Sequence, residues 1–221
     1  HALEGRHVDA RLGGDPIRNP EVLPSGHSLY QFDSRRVPTP IAVRRGRDIA
    51  NHVCSAYRAS HDGADPTTIA VVLWGLETTR TQGETYAQIL SLLGVRSLTP
   101  RRPNSPHWEI IPSNELERPR VDVVVTICGF FRDLFSNLID ELDDILHAVA
   151  ALDEPADINP LAARTRQQAQ AMRQSGEPEE RIEALAHARI FGPPPGQYGS
   201  GLTDIVDSGQ WQSPEDLATA F

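Results

Sequence analysis

Two continuous apolar runs dominate the hydrophobic pattern of the chain. TTIAVVLWG occupies 67–75, and VDVVVTIC occupies 121–128. Strands that read as unbroken apolar runs are typical of parallel sheets, in which both faces are covered. We therefore predict two buried strands here, the first of them in the centre of a sheet.

Helical periodicity follows both runs. After a loop, the segment 82–93 is amphipathic and is followed by Gly94, which predicts a helix with a glycine C-cap. An apolar stripe at spacings of three and four predicts a long second helix. The stripe consists of Leu134, Phe135, Leu138, Ile139, Leu142, Ile145, Leu146 and Val149. Further helices are predicted at 39–59, 160–174 and 178–189 and after Ser213.

The remaining segments are rich in turn-forming residues. Short strands are predicted at 95–98 and 107–112, with a Pro-rich loop at 99–106 between them. Another loop, rigid at first and then flexible, is predicted at 191–201. Residues 1–40 hold many Gly and Pro residues and no sustained period, which indicates an extended segment.

The alternation of strands and helices predicts an α/β fold. We expect a parallel-sheet core with flanking helices, an extended Pro-rich N-terminal segment and a helical C-terminal part. The pattern divides the chain into an extended segment plus a helix at 1–66, an α/β core at 67–155, and a helical and loop region at 156–221 that packs on the core.

The charged residues exclude several classes of protein. A net charge of −9 argues against a general nucleic-acid binder, which needs a basic surface. All 21 basic residues are arginines, so this chain lacks the P-loop lysine of Walker-type ATPases. Schiff-base chemistry on lysine is excluded for the same reason.

Hydropathy and cysteine content predict the compartment. No window approaches the roughly 18 consecutive apolar residues that span a bilayer, and no charged-then-apolar leader stands at the start. Cys54 and Cys128 are too few for a disulfide scaffold. We expect a cytoplasmic protein with two reduced thiols and no membrane span.

The loops after the two apolar strands are the first candidates for a site, because α/β sheets bind ligands beyond the carboxyl ends of their strands. Arg80 and Arg132 follow these strands and would suit a ligand that carries carboxylates or phosphates. A structural interpretation stays open. Thr81 and Glu84 have the spacing of a capping box, and Asp133 suits the positive end of a helix.

Metal-binding motifs are not evident in the sequence. The eight histidines are scattered without H-x-x-x-H spacing, and there is no C-x-x-C. The sequence therefore predicts no preformed zinc site, and the ligands of any metal stay unknown.

Five blocks of sequence, spread over nearly the whole chain, carry a family resemblance. They are VLPSGHSLYQFDSRRVPTPIA (22–42), VVLWGLETTRTQGETYAQILSLLGV (71–95), RPRVDVVVTICGFFRDLFSNLIDELDDILHAVAALDEP (118–155), INPLAAR (158–164) and IFGPPPGQYGSGL (190–202). Together they resemble the large subunit of the tetrapyrrole metal chelatases, the family that contains cobaltochelatase CobN and the large subunit of magnesium chelatase.

The resemblance implies an enzyme subunit that forms nitrogen–metal bonds. In this family the large subunit binds the tetrapyrrole, whereas a separate AAA+ ATPase subunit and an integrin-like-domain subunit use ATP. Members are several times longer, which implies a fragment from the C-terminal half. NPLAAR and FGPPPGQYGSGL look closer to the cobalt branch, in which Co²⁺ enters hydrogenobyrinic acid a,c-diamide during cobalamin biosynthesis. The alternatives are Mg²⁺ insertion into protoporphyrin IX by a magnesium chelatase, or a non-catalytic scaffold or docking section.

Insertion of a metal requires the removal of two pyrrole protons, so a general base is needed. With this resemblance, Glu84 is our candidate for the base or a transient metal ligand. The candidate tetrapyrrole-binding residues are Arg80, Thr81, Arg132, Asp133 and Tyr198. Trp74 and Tyr198 are candidates for contact with the face of the macrocycle, although Trp74 at a strand end reads better as a core residue. The acidic face of the long helix is interpreted as solvated, with docking of the ATPase subunits as the alternative; it comprises Asp140, Glu141, Asp143 and Asp144.

Overall fold

The structure is a computed structural model. It describes residues 2–9, 11–13, 16–17, 20–24, 26, 28–30, 33–98, 107–198 and 202–220. The predicted Pro-rich loop at 99–106 lies outside these ranges, as does the end of the predicted loop at 191–201. The chain divides into two compact units, His1–Val37 and Pro38–Phe221.

The N-terminal unit is built from short elements. Strands β1 (Arg11–Leu12) and β2 (Ser28–Tyr30) pair in parallel. Single 3₁₀ turns occur at Ala2–Glu4, Pro20–Val22 and Ser34–Arg36. These short pieces fit the expectation of a Pro-punctuated segment without long periodic elements.

The second unit contains the central sheet. Its strands are β3 (Thr68–Leu73), β6 (Asp122–Ile127) and β7 (Ile190–Phe191), which lie in the order β3–β6–β7 and are all parallel. A separate antiparallel pair is formed by β4 (Val95–Ser97) and β5 (Trp108–Ile110). The predicted parallel core is confirmed, although β7 was not recognised in the sequence because it is only two residues long.

The second unit also contains helices. The described ones are α1 (Pro40–Ser60), α2 (Gly75–Thr81), α3 (Glu84–Leu93), α4 (Gly129–Leu134), α5 (Ser136–Ala150), α6 (Pro160–Gln174), α7 (Glu179–Ala186), α8 (Leu202–Ser208) and α9 (Pro214–Ala220). Among the described residues, none of these helices combines the length and the hydrophobicity that crossing a bilayer requires.

Within the described residues, the first apolar run is not the central strand covered on both faces that the sequence predicts. Strand β3 lies at one edge of the three-stranded sheet described here, and β6 is its central strand. Val71 and Leu73 point into the core, whereas Ala70 is exposed and Val72 is 44% exposed. Within the described residues, β3 is therefore an apolar strand with one buried face and one exposed face.

Two helix boundaries also differ from the prediction. The segment after β3, predicted as a loop, is the helix α2, which ends where Gln82 (φ 58°) and Gly83 (φ 96°) adopt left-handed backbone conformations. The predicted long helix is interrupted at Phe135 (φ −126°, ψ 32°) into α4 and α5. Phe135 is fully buried, and its ring stacks on that of Phe131 with centroids 4.9 Å apart, so the interruption lies inside the core.

Small residues let α1 pack closely against α3. The buried face of α1 is Ala42, Gly46, Ala50 and Cys54. A Cβ on Gly46 would lie 2.6 Å from the backbone of α3, so only glycine fits at this crossing. Burial in this seam raises the pKa of the Cys54 thiol, which makes it an inert packing residue.

A buried ion network holds the amino ends of the central strands. The Arg120 side chain is fully buried and donates to the Glu154 carboxylate at 2.7 and 2.9 Å and to the carbonyl oxygens of Leu93 and Gly94 at 3.0 and 2.9 Å. Glu154 also accepts from Asn159. We call Arg120, Glu154 and Asn159, with the buried Asp122–Arg189 pair, the amino-edge network.

Candidate functional site

Glycines stand where the three central strands end. Strand β3 passes into α2 at Gly75, β6 passes into α4 at Gly129, and β7 is followed by Gly192. A Cβ on Gly75 would lie 2.2 Å from the Phe130 ring, and one on Gly129 would lie 2.4 Å from the Gln197 carbonyl oxygen. The strand ends therefore approach one another and the 193–198 loop more closely than any larger residue allows.

The Cys128 thiol joins two of these junctions. Its sulfur accepts hydrogen bonds from the Gly75 N–H at 3.5 Å and from the Phe131 N–H at 3.4 Å. It thereby caps α4 and ties the start of α2 to the end of β6. Sulfur is a weak acceptor, so these bonds position the backbone more than they stabilise it.

Large apolar side chains are exposed around these junctions. Trp74 is 59% exposed, so the expectation that it belongs to the core was wrong. The others are Leu76 at 72%, Phe130 at 38%, Phe191 at 50% and Tyr198 at 62% exposure. We call these five residues the aromatic edge. Several large apolar side chains exposed at one end of a sheet make this end a candidate binding site, because monomeric soluble proteins rarely expose large apolar patches.

Arg132 fastens the 193–198 loop to α4. Its Nη1 donates to the carbonyl oxygens of Pro193 at 2.9 Å, Pro194 at 2.7 Å and Gln197 at 3.5 Å. Its Nε donates to Asp133 at 3.0 Å, and the side chain is 21% exposed. The charged pair at this strand-to-helix junction thus has a structural role of its own.

Asp133 and Tyr198 complete this fastening. The Tyr198 hydroxyl donates to Asp133 at 2.7 Å, and the Arg132 guanidinium lies 5.9 Å from the centre of the Tyr198 ring. The Tyr198 hydrogen bond, followed by that of Arg132, lowers the pKa of Asp133. The same hydrogen bond raises the pKa of Tyr198. We call Arg132, Asp133 and Tyr198 the loop latch.

The other predicted site residues lie on α2 and α3. The Thr81 hydroxyl accepts from the Glu84 N–H at 3.2 Å, which is one half of the predicted capping box. The Glu84 carboxylate is 17% exposed and accepts from Arg45 at 3.0 Å. Arg80 is exposed in the last turn of α2. The structure brings Arg132, Asp133 and Tyr198 together, but no hydrogen bond among the described residues links them to Arg80, Thr81 or Glu84.

Sequence reasoning missed several residues of this region. Leu76, Phe130 and Phe191 were not among the predicted site residues, since sequence alone does not show exposure. Glu77 was missed as well: one carboxylate oxygen accepts from Thr81 at 2.9 Å, and the other is buried and has no hydrogen-bond partner in the part of the chain that the structure describes. An orphaned buried carboxylate oxygen requires an explanation, and a catalytic role is one of those known.

The acidic face of α5 is less uniform than predicted. Glu141 does not belong to a solvated face, because its side chain is 13% exposed and accepts from the Tyr86 hydroxyl at 2.9 Å. Asp140, Asp143 and Asp144 are exposed as expected. Within the described ranges, no group of three or more His, Cys, Asp or Glu residues is arranged to hold a metal ion.

A separate cavity of about 620 Å³ lies between α1 and the C-terminal end of α3. Its lining mixes apolar residues with charges of both signs, including Arg47, Asp48, Arg96, Glu117 and Arg118. Arg118 is already bonded to carbonyl oxygens at the end of α3. The cavity lies away from the carboxyl ends of the strands, so we assign the candidate site to the aromatic edge.

Comparisons with known proteins agree with one another. The family model described as CobN/Magnesium Chelatase matches residues 1–221. The aerobic cobaltochelatase subunit CobN of Pseudomonas aeruginosa is 40% identical over the whole chain, which covers 18% of that protein. The chloroplastic magnesium-chelatase subunit ChlH of Oryza sativa subsp. indica is 36% identical, and the chain covers 15% of it.

A solved structure shows the same fold. The catalytic subunit of cobaltochelatase from Mycobacterium tuberculosis is similar with a TM-score of 0.78 and 36% identity, over the whole of this chain and 18% of that one. The chain thus spans less than a fifth of the length of these relatives. With a family model that matches its whole length, the chain belongs to the CobN/magnesium chelatase family.

Proposed function

We propose that this chain is a section of the large subunit of an ATP-dependent cobaltochelatase, and that its aromatic edge binds the tetrapyrrole. The observation that carries the proposal is the exposure of Trp74, Leu76, Phe130, Phe191 and Tyr198 at the carboxyl ends of the strands. A tetrapyrrole macrocycle offers a wide apolar face, and exposed aromatic rings are suited to stack on it. The family membership of the chain supports the same assignment.

The polar groups beside the aromatic edge suit the periphery of such a ligand. Arg132 and Arg80 are the cations that we propose for its carboxylates or amides, with Thr81 and Asp133 as hydrogen-bonding partners. Arg80 is exposed and available directly. Arg132 contacts a ligand by exchanging carbonyl contacts of the 193–198 loop for ligand oxygens, so we expect ligand binding to loosen the loop latch.

Proton removal needs a carboxylate near the pyrrole nitrogens. We retain Glu84 as the proposed base, with release from Arg45 as the step that frees it. Glu77 is the second carboxylate of this region, and its unpartnered oxygen makes it the alternative candidate for the base.

The metal ion enters as substrate. We propose Co²⁺, with Mg²⁺ as the alternative. We propose that ATP is used by partner subunits, an AAA+ ATPase and an integrin-like-domain protein, as the family resemblance implies; the 221 residues themselves contain no lysine for a P-loop.

The choice of cobalt rests on sequence similarity. The NPLAAR and FGPPPGQYGSGL segments favour the cobalt branch, and a cobaltochelatase is among the solved structures with the same fold. The proposed substrate is hydrogenobyrinic acid a,c-diamide, an intermediate of cobalamin biosynthesis. Insertion of Mg²⁺ into protoporphyrin IX is the alternative, and the similarity to ChlH supports it.

Titration of the chain with both tetrapyrroles tests the proposal. We expect the a,c-diamide to quench tryptophan fluorescence and to bind more tightly than protoporphyrin IX. Trp74→Ala should weaken binding at least about tenfold, since stacking on an aromatic ring is worth roughly 1–3 kcal/mol per base in nucleic-acid complexes. Trp211→Ala is the matched control, because Trp211 is 41% exposed but lies between α8 and α9.

Two outcomes would contradict the proposal. Equal loss of affinity in the Trp74→Ala and Trp211→Ala variants would show that the aromatic edge is not the site. Tighter binding of protoporphyrin IX would favour magnesium over cobalt.

Glu84→Gln and Glu77→Gln in the full chelatase distinguish which of the two carboxylates acts as the base. The variant that lowers the insertion rate without weakening tetrapyrrole binding identifies the base.

A further inference from the structure

The outer side of strand β3 offers unpaired backbone groups. The Asp122 N–H donates to the Thr67 carbonyl and the Cys128 N–H donates to that of Leu73, so odd-numbered residues of this strand face β6. The N–H and C=O groups alternate in direction along a strand. Those of Thr68, Ala70 and Val72 therefore point away from β6, where no strand within the described residues pairs with them.

The side chains of the same residues are also uncovered. Thr68 and Ala70 are exposed and Val72 is 44% exposed, whereas Val71 and Leu73 are buried. Natural proteins protect such edges with charged residues, proline or bulges. The segment Thr68–Leu73 contains no charge and no proline, and its pairing with β6 runs without a bulge. An unprotected apolar edge of six residues is a template for another strand.

We propose that another β-strand of the same large subunit, from outside these 221 residues, pairs in parallel with β3 and extends the central sheet. The inference rests on the proposed function, in which the chain is a section of a longer subunit. Relatives support the length that this requires, because the chain covers only 18% of the Pseudomonas aeruginosa protein. The parallel direction follows from β3, β6 and β7, since uniformly parallel sheets are over-represented.

The partner strand must be apolar on the side that it shares with Val72. Sheets made only of parallel strands are covered by helices on both faces. Among the described helices, α3 packs on β3 and α6 packs on β6. The element that carries the new strand is therefore expected to place an apolar helix over Ala70 and Val72. Coverage of this kind explains why the sequence of β3 reads as a central strand.

Hydrogen exchange on the full-length large subunit tests this pairing residue by residue. We expect the amides of Thr68, Ala70 and Val72 to exchange within about tenfold of their odd-numbered neighbours, because both sets then lie in ladder hydrogen bonds. An open edge would let the even-numbered amides exchange at least about a hundredfold faster. That result would overturn the proposal.

Two valines of equal exposure provide a matched pair of variants. Val72→Arg should speed exchange of the even-numbered amides at least about tenfold by weakening the partner strand. Val206→Arg should not, although Val206 on α8 is 45% exposed. Equal exchange rates in the two variants would count against the pairing.

A second outcome would also overturn the proposal. Protection of the even-numbered amides that appears in the 221-residue chain and rises with its concentration would show that the edge pairs with a second copy. Neither measurement involves a tetrapyrrole, so its failure is distinct from failure of the proposed function.

Discussion

Arginine–carboxylate pairs stand at both ends of the central sheet. At the amino ends, the Arg120 side chain is fully buried and all its described contacts are to protein oxygens. At the carboxyl ends, Arg132 is 21% exposed and Asp133 is 42% exposed, beside the apolar residues of the aromatic edge. The same chemistry therefore stabilises the fold at one end and remains accessible to a ligand at the other.

The two arginines differ in how deeply they are buried and in how fully their hydrogen bonds are satisfied by the protein. A buried charge is tolerated only when it is paired and hydrogen-bonded, which leaves it no capacity for a ligand. An exposed pair contributes little to stability and exchanges partners easily. We therefore propose that stabilisation of the fold and binding of a ligand take place at opposite ends of β3, β6 and β7, as in other α/β proteins.

The largest effect is expected from Arg120→Met. Removal of the guanidinium leaves the Glu154 carboxylate without its main partner, which should lower the free energy of unfolding by about 3–5 kcal/mol. Urea denaturation followed by circular dichroism measures the change. Arg96→Met, which removes the exposed ion pair with Glu109, should cost less than about 1 kcal/mol and is the control. If both variants lost the same free energy of unfolding, buried and exposed ion pairs would not differ in their contribution to stability.

Gly129→Ala should have the next largest effect. Its new Cβ would lie 2.4 Å from the Gln197 carbonyl oxygen, a backbone atom, so the loop must move at a cost of about 1–3 kcal/mol. Gly75→Ala should cost less, because the first atom in its way belongs to the half-exposed Phe130 ring. Thermal unfolding and tetrapyrrole titration check both variants. A larger loss from Gly75→Ala would show that the strand ends, rather than the loop, set the geometry.

The amino-edge network should make stability depend on pH in the acid range. The Arg120 hydrogen bond lowers the pKa of Glu154. The stabilisation is therefore fully present above the ordinary glutamate pKa of about 4.3 and is lost as the pH falls through the lower pKa of the folded state. Urea midpoints between pH 3 and 6 measure this loss. In Glu154→Gln, which is less stable at neutral pH, the slope should be flatter; an unchanged slope would assign it to other carboxylates.

The smallest effect concerns the loop latch. The hydrogen bond to Asp133 raises the pKa of Tyr198, so its stabilisation is present below the ordinary tyrosine pKa of about 10 and is lost as the pH rises through the higher folded value. Absorbance titration at alkaline pH, with Tyr198→Phe subtracted, isolates this residue among four tyrosines. Asp133→Asn should move the Tyr198 transition back towards its ordinary range. No movement would mean that the latch is open in solution.

The sequence predicted the type and bounds of the helices and strands better than it predicted what packs against each of them. The helix at 160–174 was predicted with its observed bounds, because Asn159 caps it and Pro160 opens it. The buried strand at 121–128 was predicted from its apolar run. The break at Phe135 was missed, because the apolar stripe continues across it and only the backbone conformation of Phe135 reveals it.

Arg132, Asp133 and Tyr198 were named from the sequence as candidate binding residues, and that role stays a prediction. Their contacts with one another were not predicted, because the Tyr198–Asp133 hydrogen bond joins positions 65 residues apart in the sequence. Trp74 was misread because an aromatic residue at a strand end is core or surface according to what packs on it. No local pattern encodes that information.

The sequence by itself determined the alternation of strands and helices, the parallel core, the absence of a P-loop lysine and the family, since these follow from local periodicity, composition and ordered motifs. Only the tertiary structure decided that β3 lies at the edge of the described sheet, that Arg120 is buried and that Trp74, Phe130 and Tyr198 are exposed. Exposure depends on neighbours that are distant in the chain. The difference between the stabilising end and the proposed binding end therefore becomes visible only when the strands are placed side by side.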